Sequence, residues 1–184
     1  FILNEGHFDY QTNQIIEPVT LGSYNPQNNL YTIIDTIQSA RFGSDLIIEG
    51  DYLYVAADNA LYKYDKNTYS LVATQQIPGI RNLTIYQDKI LVTRGEYMTM
   101  YDSYLQIYST IDLSFITEFD TITGPKWSTQ NMIVNGNTIY VAINNGFEWG
   151  NEKGLIGIID MNTITYMNEI DLGIADTYIA IPAH

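Results

Sequence analysis

The residues most able to do chemistry sit together in Asn144-Asn-Gly-Phe-Glu-Trp-Gly-Asn-Glu-Lys-Gly154. Its three glycines permit sharp backbone turns. Phe147, Glu148, Trp149 and Lys153 supply a ring, a carboxylate, an indole and an ammonium. That set suits recognition of a ligand by stacking and charge. It also suits a self-packed surface loop resting on its own aromatics. Glu148 and Glu152 are the residues from which a glycosidase-like acid/base pair would be drawn, although spacing within a loop says nothing of their separation. Nucleophilic catalysis needs a base beside a Ser or Cys. The only histidines are His7 and His184, and no elbow motif surrounds any serine. There is no Asp-x-Asp-x-Asp-Gly calcium loop, Ala57-Asp-Asn-Ala60 being a poor substitute, and no glycine-rich phosphate cradle. The sequence therefore reads as a non-enzyme with no cofactor and no metal. Asn82-Leu-Thr84 matches a glycosylation sequon but falls in a predicted inner strand, which argues against its use.

The remaining cations are as informative as the loop. Arg41, Arg81 and Arg94 are the only arginines in a chain of 184 residues and net charge −13. With 21 acids against 8 bases, phosphate neutralisation fails, so nucleic acid is excluded as an expected partner. Apolar content of 46% with 16% charged residues excludes a disordered tail. Cysteine is absent, which removes disulfides and thiolate metal sites. No apolar run is long enough for a membrane span. The chain opens on Phe1 rather than Met, so any signal peptide or lipid-anchor cysteine would lie upstream.

A three-fold repeat positions these residues. Asp45-Leu-Ile-Ile-Glu-Gly-Asp-Tyr-Leu-Tyr-Val-Ala returns as Asn82-Leu-Thr-Ile-Tyr-Gln-Asp-Lys-Ile-Leu-Val-Thr and as Asn131-Met-Ile-Val-Asn-Gly-Asn-Thr-Ile-Tyr-Val-Ala. The copies begin at residues 45, 82 and 131, and a period of about 40–50 residues signals blades or solenoid units. Each copy reads as four strands, A to D, from period-two alternation. The predicted strands are 45–49, 52–57, 61–65 and 70–77; then 81–86, 89–94, 103–110 and 115–122; then 131–134, 138–143, 155–160 and 165–172. Residues 1–5, 20–24 and 30–36 read as strands B, C and D of a partial unit, and 177–181 as a further or closing strand A. Hairpin turns fall at 49–51, 87–88 and 135–137. Asp65-Lys-Asn-Thr68 and Asp160-Met-Asn-Thr163 share a pattern in which the aspartate caps its own turn. The prediction is an all-β fold, a β-propeller of four-stranded antiparallel blades. The blades are expected at 1–36 (partial), 45–77, 81–122 and 131–172. They close either as a four-bladed ring or as about half of a larger one.

The opening Phe1-Ile-Leu-Asn-Glu-Gly-His-Phe, together with Tyr24-Asn-Pro, Ile139-Tyr-Val-Ala and Ile158-Ile-Asp-Met, resembles the YVTN/YncE-like propellers of bacteria. His7 stands where that family's opening motif has Asn. The resemblance implies a seven- or eight-bladed ring and a secreted or surface-anchored, outer-membrane-associated location. It further implies a role that is generally not enzymatic. Members bind small molecules, cobalamin-like ones among them, beside outer-membrane transporters, or travel as cargo of the type IX secretion route.

Blade geometry assigns the loops to faces. A–B and C–D turns share one face and are short here; B–C and D–A connections share the other and are long. All three arginines lie in or beside the long set, with Lys126, Lys153 and both tryptophans, Trp127 and Trp149. Phe8, Tyr10, Phe42, Tyr97, Tyr101 and Phe147 join them. Arginine with aromatics is the composition of binding patches. The expected ligand-binding residues are Arg41, Arg81, Arg94, Trp127, Phe147, Glu148, Trp149 and Lys153. The expected partner is a small molecule or an outer-membrane or secretion protein.

Overall fold

The computed structural model describes residues 1–173, and within them every regular element is a strand. The first unit contains β1 (Ile2–Asn4), β2 (His7–Asp9), β3 (Gln14–Glu17), β4 (Val19–Asn25) and β5 (Leu30–Ile37). β1, β4 and β5 form a three-stranded antiparallel sheet, and β2 pairs with β3 as a separate hairpin. Three four-stranded meanders follow. They are β6 (Gly43–Glu49), β7 (Tyr52–Ala57), β8 (Ala60–Asp65) and β9 (Leu71–Gln76); then β10 (Ile80–Tyr86), β11 (Lys89–Arg94), β12 (Ser103–Ser109) and β13 (Phe115–Asp120); then β14 (Thr129–Asn135), β15 (Thr138–Ile143), β16 (Leu155–Asp160) and β17 (Thr165–Asp171). The chain is an all-β propeller fold, with strand order A-B-C-D in each complete blade. Innermost strands pack on one another, β6 against β10 and β10 against β14. The predicted strand 177–181, like His184, lies outside the described residues.

Turn chemistry follows the sequence pattern. Asp65 Oδ1 accepts from the amides of Asn67 and Thr68, both at 2.8 Å, and Asp160 Oδ1 from Asn162 N at 2.9 Å. The residue that closes each C–D turn takes a left-handed conformation: Tyr69 (φ 63°), Leu113 (φ 61°) and Ile164 (φ 51°). The connection between the predicted strands 1–5 and 20–24 is more than a loop. Part of 6–16 forms the β2–β3 hairpin, because Asp9 Oδ1 accepts from Gln11 N at 2.8 Å and Oδ2 from Thr12 Oγ1 at 2.7 Å. Asn13 completes that turn at φ 56°.

Strand B explains why the repeat is so apolar. In β7, Leu53, Val55 and Ala57 enter a core with Val19 and Leu21 of the first sheet, while Tyr54 and Ala56 enter one with Ile80 and Val92 of the next. In β11, Ile90 and Val92 belong to that second core and Leu91 to a third with Ile139 and Val141. Both faces are buried, so alternation disappears into a continuous hydrophobic run. Ala56 and Thr93 are fully buried, but Ala142, at the corresponding place in the last blade, is exposed. Side chains also tie neighbouring blades together. Tyr64 Oη donates to Asp35 Oδ2 and Tyr86 Oη to Asn137 Oδ1, each at 2.7 Å. Lys63 Nζ donates to the carbonyls of Thr110 and Ile111, both at 2.8 Å, from 3.8 Å above the Tyr52 ring. Burial lowers the Lys63 pKa, while Asp112 opposes that shift.

Candidate functional site

The site is built where the inner strands begin. Each of β6, β10 and β14 carries a β-bulge near its first residues, between Gly43 and Asp45, Ile80 and Leu83, and Thr129 and Met132. A bulge bends the strand and re-aims the side chains beside it. Leu46, Leu83 and Met132 pair with Val55, Val92 and Val141, which makes Ser44, Arg81 and Gln130 equivalent, and likewise Asp45, Asn82 and Asn131. Ser44, Arg81, Asn82, Gln130 and Asn131 all line one cleft of about 420 Å³.

A stack of cations and rings walls this cleft. The Arg81 guanidinium lies between Phe42, 4.6 Å from its centroid, and Phe147, at 4.5 Å. Arg41 sits 5.1 Å from the Phe42 centroid and 5.9 Å from that of Phe8 on the β2–β3 hairpin. The order Phe8, Arg41, Phe42, Arg81, Phe147 thus crosses from the first unit to the last blade. Cation–π contacts of this kind contribute about 0.5–2 kcal/mol each, more as water is excluded. Carboxylates lock the stack. Arg41 Nε reaches both Asp58 oxygens at 3.0 Å and its Nη2 reaches Oδ1 at 2.5 Å. Glu96 Oε2 bridges Arg41 Nη2 at 3.2 Å and Arg81 Nη2 at 3.5 Å. Arg81 Nε also donates to Gly95 O at 2.6 Å. Its hydrogen bonds to Asp58 push the Arg41 pKa up, whereas burial pushes that of Arg81 down against the opposing pull of Glu96. Gly95 has no room for a side chain: a Cβ there would lie 2.5 Å from the Phe147 ring.

The other expected residues separate into distinct places. Arg94 is buried, with Nε on Pro78 O and Nη1 on Ser103 O, both at 2.9 Å, and Tyr101 4.1 Å from its guanidinium. Its hydrogen bonds stitch a D–A connection to a B–C one. Trp127 is half-buried against the third core, and Lys153 Nζ lies 4.6 Å from its ring centroid. Asn145 organises the 144–154 loop, donating from Nδ2 to Glu148 Oε2 and Asn151 O, both at 2.9 Å. The bond from Asn145, with one from Asn151, holds the Glu148 carboxyl below its usual range, and backbone amides do the same for Glu152. Trp149 is 81% exposed and stands beside Tyr97, ring centroids 6.0 Å apart. The structure therefore brings Arg41, Arg81 and Phe147 together. It places Trp149 at the rim through Tyr97, and sets Arg94, Trp127 and Lys153 apart. Sequence reasoning missed Asp58 and Glu96, which lie 17 and 55 residues from Arg41, and the amides Asn82, Gln130 and Asn131. The only signal for the amides was their equivalent place at the head of each repeat.

Comparison with known proteins supports the fold. A family model, the LVIVD repeat, matches residues 40–62, from the first D–A connection to β8. No curated protein matches the chain. Among solved structures, the chain is similar to the computationally designed Ika8 protein, at 12% identity and a TM-score of 0.57 over 84% of this chain and 46% of that one. It also matches KlHsv2 with loop 6CD replaced by a Gly-Ser linker, at 14% identity and a TM-score of 0.48 over 71% of this chain and 40% of that one. The chain spans less than half the length of either structure. At 12% identity the likeness to Ika8 bears on the fold alone. Bulged inner strands, doubly buried B strands and a recurring repeat together make this chain a repeat β-propeller.

Proposed function

We propose that the chain is a non-enzymatic binding module that captures a small ligand in the cleft between its inner strands. One observation carries this reading: bulged inner strands from three successive blades converge on a cleft whose walls are braced by the Arg41–Phe42–Arg81–Phe147 stack. Arg81 is anchored by Gly95 O and paired with Glu96, and between two rings it forms a wall of the cleft. Glu148 and Glu152 are both exposed with lowered pKa values, which argues against either as a general acid. We place the module at a bacterial cell surface, secreted or outer-membrane-associated, on the YVTN/YncE-like resemblance of its opening residues. Among the described residues no helix is long and apolar enough to cross a membrane. Exposed apolar side chains on the first and last sheets, such as Ile33 and Ile133, support an arc of a larger ring.

A second reading is a protein partner, an outer-membrane or secretion component. Met98 and Met100, 86% and 91% exposed, adjoin the Tyr97–Trp149 pair on this face, and methionine-rich surfaces adapt to partners. A fragment library screened by amide chemical shifts tests the first reading. Hits are expected to cluster on Gly43, Arg81, Asn82 and Gln130 and to disappear in Arg81→Ala with the fold retained. Hits confined to the opposite turns, around Gly50, Asp88 and Gly136, would remove it.

A further inference from the structure

The chemistry lining the cleft also points to a class of ligand. Its cations are already matched, Arg41 by Asp58 and Glu96, and Arg81 by Glu96 and the Gly95 carbonyl. Glu5, also at the cleft, adds a further negative charge. An anion would meet no free positive charge there, and a phosphate or carboxylate ligand is disfavoured. The polar groups left over are neutral. Among the described residues the side-chain amides of Asn82, Gln130 and Asn131 make no hydrogen bond, although all three line the cleft. Ser44 Oγ is the one buried side-chain polar atom among those residues without a partner, and Ser44 lines the same cleft. Buried polar groups are normally paired, so an orphan in a cleft wall calls for an explanation. Ser44 as a residue is half-buried, so its side chain stands at the edge of the cleft.

Each of these groups both donates and accepts, the amides through NH₂ and C=O and the serine through its hydroxyl. At the rim stand exposed rings: Tyr10, held edge-on to Phe8 at 4.9 Å, and Tyr97 with Trp149. We propose that the cleft recognises a neutral saccharide, its hydroxyls paired with Ser44, Asn82, Gln130 and Asn131 and its C–H face laid on Tyr97 or Tyr10. A pyranose offers what the cleft lacks: hydroxyls that donate and accept at once on one edge, and an apolar face for an aromatic platform.

The inference rests on the cleft being a binding site, and the experiment separates the two claims. D-glucose, D-galactose and N-acetyl-D-glucosamine are titrated into the chain beside inorganic phosphate and a neutral tripeptide, with side-chain amide shifts and Trp149 fluorescence as readouts. At least one sugar is expected to shift the Asn82, Gln130 and Asn131 NH₂ groups saturably, with little change at high salt. Asn82→Ala should weaken that binding about tenfold. Trp149→Ala, at an exposed position that leaves folding untouched, should weaken it about fivefold through the loss of its support for Tyr97. Saturation by phosphate or peptide with no response to any sugar overturns the saccharide assignment and leaves the cleft a binding site. Sugar shifts unaltered by either substitution also overturn it. Silence from every probe, library fragments included, removes both claims.

Discussion

Raising the pH from 10 to 12 should unfold the protein. Burial pushes the phenols of Tyr54 and Tyr108 up to about 12 from an ordinary value near 10. Tyr64 and Tyr166 are raised as well, by burial and then by the Asp35 and Glu169 carboxylates they hydrogen-bond. A phenol whose folded pKa is raised contributes stability that is fully present below its unfolded pKa. That contribution is lost as pH climbs through the folded value. Two phenols shifted about two units each account for roughly 5 kcal/mol by pH 12, comparable with the whole stability of many domains. Lys63 works in the opposite sense. Its lowered pKa means that stability rises between that value and 10.5, but it is one group against several. The exposed phenols ionise first, and the last phase of phenolate absorbance should coincide with the change in far-UV circular dichroism, more steeply than one proton allows. Tyr54→Phe should move the midpoint upward. Complete ionisation of all sixteen tyrosines near pH 10 with the dichroism intact would show that the buried phenols are accessible and defeat the expectation.

Asp58→Ala should lower stability by about 3–4 kcal/mol. The substitution strips Arg41 of its closest partner and leaves a half-buried guanidinium with Glu96 alone. It also puts alanine at φ 50°, where an L side chain costs about 1 kcal/mol beyond what aspartate or asparagine meets. Asp58→Asn keeps the left-handed preference and loses only the charge, so it should cost about half as much. Urea unfolding of the three proteins measures both terms, as a falling midpoint at constant slope. Equal loss in both variants would mean that the backbone conformation contributes nothing.

The scaffold was legible because its signals are local. Val55, Val92 and Val141 recur at one place in each repeat, and the aspartates of the C–D turns act on residues two or three away. The β2–β3 hairpin was not, since His7-Phe-Asp9 and Gln14-Ile-Ile-Glu17 are too short to display alternation. The face that carries the arginines was legible; their partners were not. Arg41, Arg81 and Arg94 look alike in sequence, yet the first two enter the ring stack and the third binds backbone carbonyls. That difference depends on loops closing from distant parts of the chain. Asn82 was set aside as a strand residue, and a bulge turns its neighbourhood to the cleft.

The two-sided burial of the B strands has a thermodynamic consequence. No blade owns a hydrophobic core; each core is half of one blade and half of the next. Melting one unit strips a face from its neighbours, so the blades should behave as coupled elements in which disorder spreads from one blade to the next. A molecule held across β6, β10 and β14 would couple three blades at once, and should raise the cooperativity of unfolding as well as its midpoint.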